Sequence, residues 1–368
     1  MSNYKSKCVQ ILIVATSLAF ATVNCVAQDT INIGIAMPIG GQNGAYVKRS
    51  FVAPTELAVK EINAAGGILG RQVKVTIEDT RFDGVGAVAA LTKLIEVDKI
   101  MAVFTAFTPL TFAQLPIAEE KKVILVAAAM EHPDLTKSPW AVRMTPTAEK
   151  SGPVIAGVAA KLAYKTAAAL SEENEAIRIS VRSFSSNFEK LGGRMVGDEV
   201  FKTEDTEMRG QLTKLRSARP DVIYVIASQG RSMGLALKQI VESGARPKQI
   251  LSNHIVEDRE IKAIGGGISE GVIYTTLDID PAFVARFKSA VGVEPDANAA
   301  KNYDATMMLF EAIKRVGTAD TTKVRDAIYN FGSYNGVVGN FIFEGSGEPK
   351  VVPILKIIKG DFYLPYQP

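Results

Sequence analysis

Cysteine and histidine are scarce in this chain, and the scarcity removes whole classes of chemistry. Among 368 residues there are two cysteines and two histidines. Both cysteines, Cys8 and Cys25, fall within the first 27 residues. That segment places Lys5 and Lys7 ahead of a 15-residue apolar run at 9–23. Cys25-Val26-Ala27 then offers small residues two apart before Gln28, the layout of a cleaved secretory leader. The run is short for a membrane span, which needs about 20 residues. Asn24 disfavours acylation at Cys25, because a small residue normally precedes a lipidated cysteine. Cleavage after Ala27 leaves a cysteine-free chain, which excludes disulfides, thiol catalysis and cysteine-ligated zinc.

A large surplus of charge of one sign is missing too. The formal net charge is +3, and two of those charges leave with Lys5 and Lys7. No basic stripe is visible, so nucleic acid is not an expected partner. His132 and His254 are far apart in sequence, which gives little support for a metal site. The first turn reads Pro38-Ile39-Gly40-Gly41-Gln42-Asn43-Gly44 and lacks the G-x-G-x-x-G spacing of a dinucleotide loop. Gly265-Gly266-Gly267 follows a helical pattern instead of a strand, and no Walker A sequence occurs. No cofactor is expected.

What is present is alternation. From Ile31 onward, apolar β-branched runs such as INIGIAM, VKVTIED, VILVAA and VIYVIA are each followed by a helix-period segment. Helices are expected near 45–65, 84–97, 109–121, 148–163, 176–191, 207–217 and 233–243, then near 282–291, 299–316 and 322–331. Late strands are expected near 338–343 and 351–358. Strands alternating with helices of 10 to 15 residues imply parallel sheets covered on both faces. Two such series, divided around 143–147, imply an α/β protein with two doubly wound domains. Gly66-Gly67 stops the first helix, and Thr108-Pro109 is read as an N-cap followed by proline at the first helical position.

Two stretches invite a catalytic reading. Gly230-Arg231-Ser232-Met233-Gly234 matches the G-x-S-x-G nucleophile elbow. The triad order then requires an acid and a histidine downstream. Only His254 follows, and Glu242 is the only acid between, inside the helix after the motif. Ser232 is therefore read as a helix-start residue in a loop at a strand end, where open α/β sheets bind ligands. Glu131-His132 looks like an acid–base pair, but neighbours on an extended segment point to opposite sides. Both are read as loop residues, one facing a crevice. An exported, cofactor-free α/β protein with loops around a cleft describes a binding protein better than an enzyme.

INIGIAMPIGGQNGAY, ELAVKEINAAGGILGRQVKVTIEDT, QLTKLRSARPDVIYV, NYDATMMLFEAIKRVG and VVGNFIFEGSGEPK occur in that order along the chain. The sequence thereby resembles the periplasmic leucine/isoleucine/valine-binding protein family, the substrate-binding subunits of ABC importers. The resemblance implies the type I periplasmic-binding fold: two doubly wound parallel-sheet lobes joined by three hinge crossovers, near 144–147, 275–277 and 343–347. It implies a lobe of residues 29–145 plus 276–343 and another of 146–275 plus 344–368. It also implies a periplasmic location, a small-molecule ligand, ABC permease transmembrane subunits as partners, and no reaction on the ligand. A sensor of the same fold is the rival, and the secretory leader argues against it.

Ligand contacts follow where positions match. Tyr46 resembles the family's aromatic residue after strand one. The carboxylate-binding turn corresponds to 105–111, with Phe107, Thr108, Leu110 and Thr111 as candidates. The ammonium-binding loop corresponds to Ala129, Met130 and Glu131, with Glu131 in place of a threonine. In the second lobe, Ser228, Gln229 and Arg231 follow VIYVIA, and His254 falls near a family acid. These departures imply an amino acid or another small carboxylate, aromatic acids included, with Arg231 or His254 as a possible second anchor.

Overall fold

The computed structural model describes residues 30–41, 44–351 and 353–368. The expected leader segment, with Cys8 and Cys25, lies outside the described residues. The chain builds a first sheet from β1 (Ile31–Met37), β2 (Val73–Asp79), β3 (Ala102–Phe104), β4 (Ile124–Val126) and β5 (Ala141–Val142). The order is β2-β1-β3-β4-β5 and every pairing is parallel. The connections are α1 (Gly44–Val47), a π-helical turn Lys48–Val52, α2 (Ala53–Ala64), α3 (Gly84–Glu96) and α4 (Thr108–Glu120).

The second series runs α5 (Ala148–Lys161), β6 (Thr166–Glu172), α6 (Glu175–Lys190), β7 (Arg194–Phe201), α7 (Arg209–Ala218), β8 (Val222–Ile226) and α8 (Gly230–Glu242). It continues through β9 (Gln249–Asn253), α9 (Arg259–Ile264) and β10 (Ile273–Thr276). The chain then returns to the first sheet with α10 (Pro281–Val291), α11 (Ala297–Val316) and α12 (Thr321–Tyr329). A hairpin of β11 (Gly332–Gly336) and β12 (Gly339–Phe343) follows. Finally β13 (Ile354–Lys359) and β14 (Phe362–Pro365) add antiparallel strands to the second sheet, ordered β14-β13-β10-β9-β8-β6-β7.

Period-two burial explains the layering. Ile31, Ile33 and Ile35 of β1 face α2, α11 and the hairpin, whereas Ala36, Val103 and Leu125 face α3 and α4. In the second sheet, Ala168, Ile223 and Val225 face α7 and α8, while Ala167, Ala169 and Tyr224 face α5 and α6. α6 buries Ile177, Val181, Phe184 and Phe188 at helical spacing, each stabilising by about 1.5–3 kcal/mol. After α2, the left-handed turn at Gly67 admits no side chain, because a Cβ would overlap the Arg71 carbonyl.

Three passages connect the two sheets. They follow β5, β10 and β12. Residues 344–350 stay beside the first sheet: Gly345 N donates to Tyr329 O, Arg143 N donates to Gly347 O, and Lys350 pairs with Ile342.

One expected cap differs. The N-cap of α4 is Phe107, at φ 69°, and Thr108 is the first helical residue. The left-handed Phe107 turns the chain sharply from the β3 loop into the helix. Its ring lies between Phe51 (6.1 Å) and Phe82 (5.2 Å), which holds the strained backbone in place.

Candidate ligand-binding site

Loops at the carboxyl ends of β1, β3, β4, β6, β8 and β9 meet around one cavity of about 120 Å³. This is the position that open α/β sheets reserve for ligands: β1 and β3 flank the point where the first sheet reverses order, and β6 and β8 do so in the second. The volume is small beside the ~300–1,000 Å³ of drug-sized pockets, which suits a ligand of few atoms.

An apolar wall comes from Tyr46, Phe51, Phe107, Met130, Ile177 and Ile255. Tyr46 packs edge-on against Phe51 at 5.8 Å, and its hydroxyl accepts from Asn298 Nδ2 at 2.9 Å. Thr105, Ala106 and Thr108 bring the N-terminus of α4 to the lining. Backbone N–H groups there lack helical partners and carry partial positive charge. Asn174, Ala176 and Ile177 bring the N-terminus of α6, but the Asn174 side chain already accepts from Ala176 N and Ile177 N.

Glu131 is the charged side chain of the lining. Burial pushes its carboxyl above the ordinary value, against the pull of Lys301 and Arg143. The loop that carries it is built on Arg143, whose side chain is fully buried. The guanidinium donates to the carbonyls of His132 (2.9 Å), Pro133 (3.3 Å) and Met130 (3.4 Å), and to Thr136 Oγ1 (2.8 Å). Glu348 balances its charge at 3.7 Å. His254 is pushed well below its ordinary value by burial and by Lys301, so it is neutral at pH 7. His254 Nε2 and Asn253 Oδ1 are buried without a hydrogen-bond partner among the described residues.

Of the residues singled out in the sequence, Tyr46, Phe107, Thr108, Ala129, Met130, Glu131, Ser228 and His254 line this cavity. Leu110 and Thr111 lie further into α4 and are buried, with Thr111 Oγ1 3.5 Å from Thr105 Oγ1. Gln229 is the N-cap of α8, outside the lining. Arg231 is exposed on α8 and does not reach the cavity, so it anchors nothing there. Ser228 faces the cavity with its hydroxyl committed to Glu172 Oε1 at 2.7 Å.

His132 turns away from Glu131: its Nδ1 accepts from Asp134 N at 3.1 Å, and its ring meets Phe112. Ser232 is buried and donates to the Thr203 carbonyl at 3.2 Å. Sequence reasoning missed Phe51, Thr105, Asn174, Ile177, Asn253, Ile255 and Asn298. Asn253 ends β9 and Asn174 follows β6 as the N-cap of α6, a signal that could have found them.

A profile of the periplasmic binding protein family matches residues 30–351. The chain belongs to the periplasmic binding protein family. Among similar members is the leucine-, isoleucine-, valine-, threonine- and alanine-binding protein of Pseudomonas aeruginosa, 25% identical over 348 residues and 92% of each chain. The leucine-binding protein of Thermotoga maritima superposes with a TM-score of 0.83 at 25% identity, covering 92% of this chain and 98% of that one. An ABC-transporter solute-binding protein of Rhodopseudomonas palustris, solved with 3,4-dihydroxybenzoic acid, gives a TM-score of 0.83 at 22% identity, covering 92% and 97%. The fold of this family member is thus that of type I periplasmic binding proteins.

Proposed function

We propose that this chain is the periplasmic solute receptor of an ABC importer and that it binds a small amino acid between two lobes. The observation that carries the reading is the charge of the cavity wall. Among the described residues it contains one carboxylate, Glu131, and no lysine or arginine. A ligand buried there supplies a cation or several hydrogen-bond donors, since an unpaired anion would meet a buried like charge. An α-ammonium at Glu131 meets that need, and the α-carboxylate goes to the N-terminus of α4 beside Thr105 and Thr108. The name of the Pseudomonas aeruginosa relative supports ligands of this size.

The first lobe comprises residues 30–145 and 276–351, and the second 146–275 and 353–368. The third crossover is drawn after Val351, because Gly345, Gly347 and Lys350 hold to the first lobe. Hinge closure traps the ligand, and the closed form engages the permease; no bond of the ligand is broken.

A hydroxylated aromatic acid is the second reading. The Tyr46, Phe51 and Phe107 wall favours it, as does the dihydroxybenzoate complex of the Rhodopseudomonas palustris neighbour. A thermal-shift screen of the twenty amino acids, benzoate and 3,4-dihydroxybenzoate separates the two. A ligand at 100 times its Kd adds about 2.7 kcal/mol to stability. Shifts with benzoates and none with amino acids reject the first reading; no shift with either class rejects both.

A further inference from the structure

Glu131, Asn253 and His254 also border a second, smaller chamber of about 20 Å³. That is room for a single water-sized occupant and not for a ligand. Residues of all three crossovers line it: Thr145 and Pro146, then Thr275, Thr276 and Leu277, then Pro353. Lys301, on α11, opens into the same space. The residue is 2% exposed, and among the described residues its ammonium has one long hydrogen bond, 3.4 Å to Asn298 Oδ1. Asn298 in turn donates to the Tyr46 hydroxyl and lines the ligand cavity.

A buried ammonium with so little hydrogen bonding needs opposite charge nearby. Burial lowers the titration of the ammonium itself, and Glu131, Asp296 and Glu257 oppose that, Glu131 most; of the three, Glu131 borders the same chamber. Seen from Glu131, the facing groups are Lys301, Arg143, the Tyr224 ring of β8 and His254 across the chamber. Arg143 already serves Glu348 and three loop carbonyls. Lys301 is the less committed cation, and it acts from behind the wall.

We propose that Lys301 is a positioning residue for recognition: without touching the ligand it keeps the Glu131 carboxylate charged, so the cleft retains its affinity for a cationic or donor group at and below neutral pH. The proposal rests on the solute-receptor reading with Glu131 facing the ligand. Burial raises the Glu131 carboxyl and Lys301 opposes that rise, so losing the ammonium moves its titration toward neutrality.

Two measurements test this. In protein labelled with ¹³C at glutamate carboxyls, the Glu131 signal is assigned by its loss in Glu131→Gln. Its titration midpoint rises by about one pH unit or more in Lys301→Met and Lys301→Gln, and returns in Lys301→Arg. Calorimetry with l-leucine gives a Kd nearly independent of pH from 6 to 8 in the wild type. In Lys301→Met binding is about tenfold weaker at pH 6 than at pH 8. An unmoved midpoint, or a loss of affinity equal at every pH, overturns the proposal in favour of a packing role. If neither neutral variant folds, the wild-type titration decides: a Glu131 midpoint above pH 7 overturns the proposal, and one below it supports it. Failure of wild-type protein to bind any amino acid rejects the ligand reading, whereas the carbon midpoints read the electrostatic assignment alone.

Discussion

Replacing the Glu131 carboxylate by an amide keeps the shape of the cleft and removes its one charged wall group. Glu131→Gln is expected to weaken the identified amino-acid ligand roughly tenfold or more, the range for a charge-assisted hydrogen bond of about 1.5–3 kcal/mol. Calorimetry checks it, and unchanged affinity would remove Glu131 from the ligand's contacts. Asp304 offers a prediction on stability. It is buried on α11 and accepts from Val337 N (2.8 Å) and Val338 N (3.0 Å). Burial pushes its carboxyl up to about 7 from the ordinary 3.8. Between those values the folded chain holds a proton that the unfolded chain has lost, so stability falls as pH rises from 3.8 to about 7. The slope reaches at most about 1.4 kcal/mol per pH unit and flattens above. Asp221, held well below its ordinary value by Lys248 and the Lys165 backbone, works in the opposite sense and below that window. Denaturant midpoints across pH 4–8 should show the Asp304 slope, and Asp304→Asn should lose it.

Among the elements, α5 packs against α6 at Gly152, where a Cβ would overlap the Ser183 side chain. Ser183 is fixed by its hydrogen bond to Glu149 O at 2.7 Å, so it cannot retreat freely. Gly152→Ala should therefore cost about 1–3 kcal/mol despite the better helix propensity of alanine, read as a drop in urea midpoint. Elements of this kind were legible because their periodicity is strong: INIGIAM and VIYVIA are continuous apolar runs, and α6 repeats its buried positions every three or four residues. β11 and β14 were not, since GSYNG and FYLP are short, partly exposed pieces defined by their partners. The same distinction divides the site. Thr108, Met130, Glu131 and Ser228 follow strands, so a doubly wound sheet delivers them to one side. Asn298 and Lys301 look like the polar face of an amphipathic helix, and only the packing of α11 on all sides shows them to be buried. Arg231 misled because its place in the sequence matched while its helical phase points it outward.

On the scale of the whole molecule, the two proposed lobes touch through Arg49 and Asp258, an ion pair of 3.2 Å with side chains 10% and 5% exposed. Arg49 also lies over the Tyr46 ring at 5.5 Å, which ties the pair to the cavity wall. Removing one member leaves the other buried and unpaired, so Arg49→Ala or Asp258→Ala should favour separation of the lobes. The expected signs are a larger ligand-free radius of gyration by X-ray scattering and ligand dissociation about tenfold faster. Unchanged values for both would make the contact incidental to closure. Asp258 additionally caps α9, so Arg49→Ala is the cleaner variant.

The small polar chamber has a mechanical consequence. All three crossovers border it, and so do Glu131 and His254 of the ligand cavity. On the proposed reading, the ligand is gripped at the short arm of a lever, next to the fulcrum. A slight adjustment of one or two bonds there becomes a large sweep at the far rims of the lobes, where a membrane partner would feel it. Selectivity for the molecule and the amplitude of the signal it sends are then set by the same few side chains.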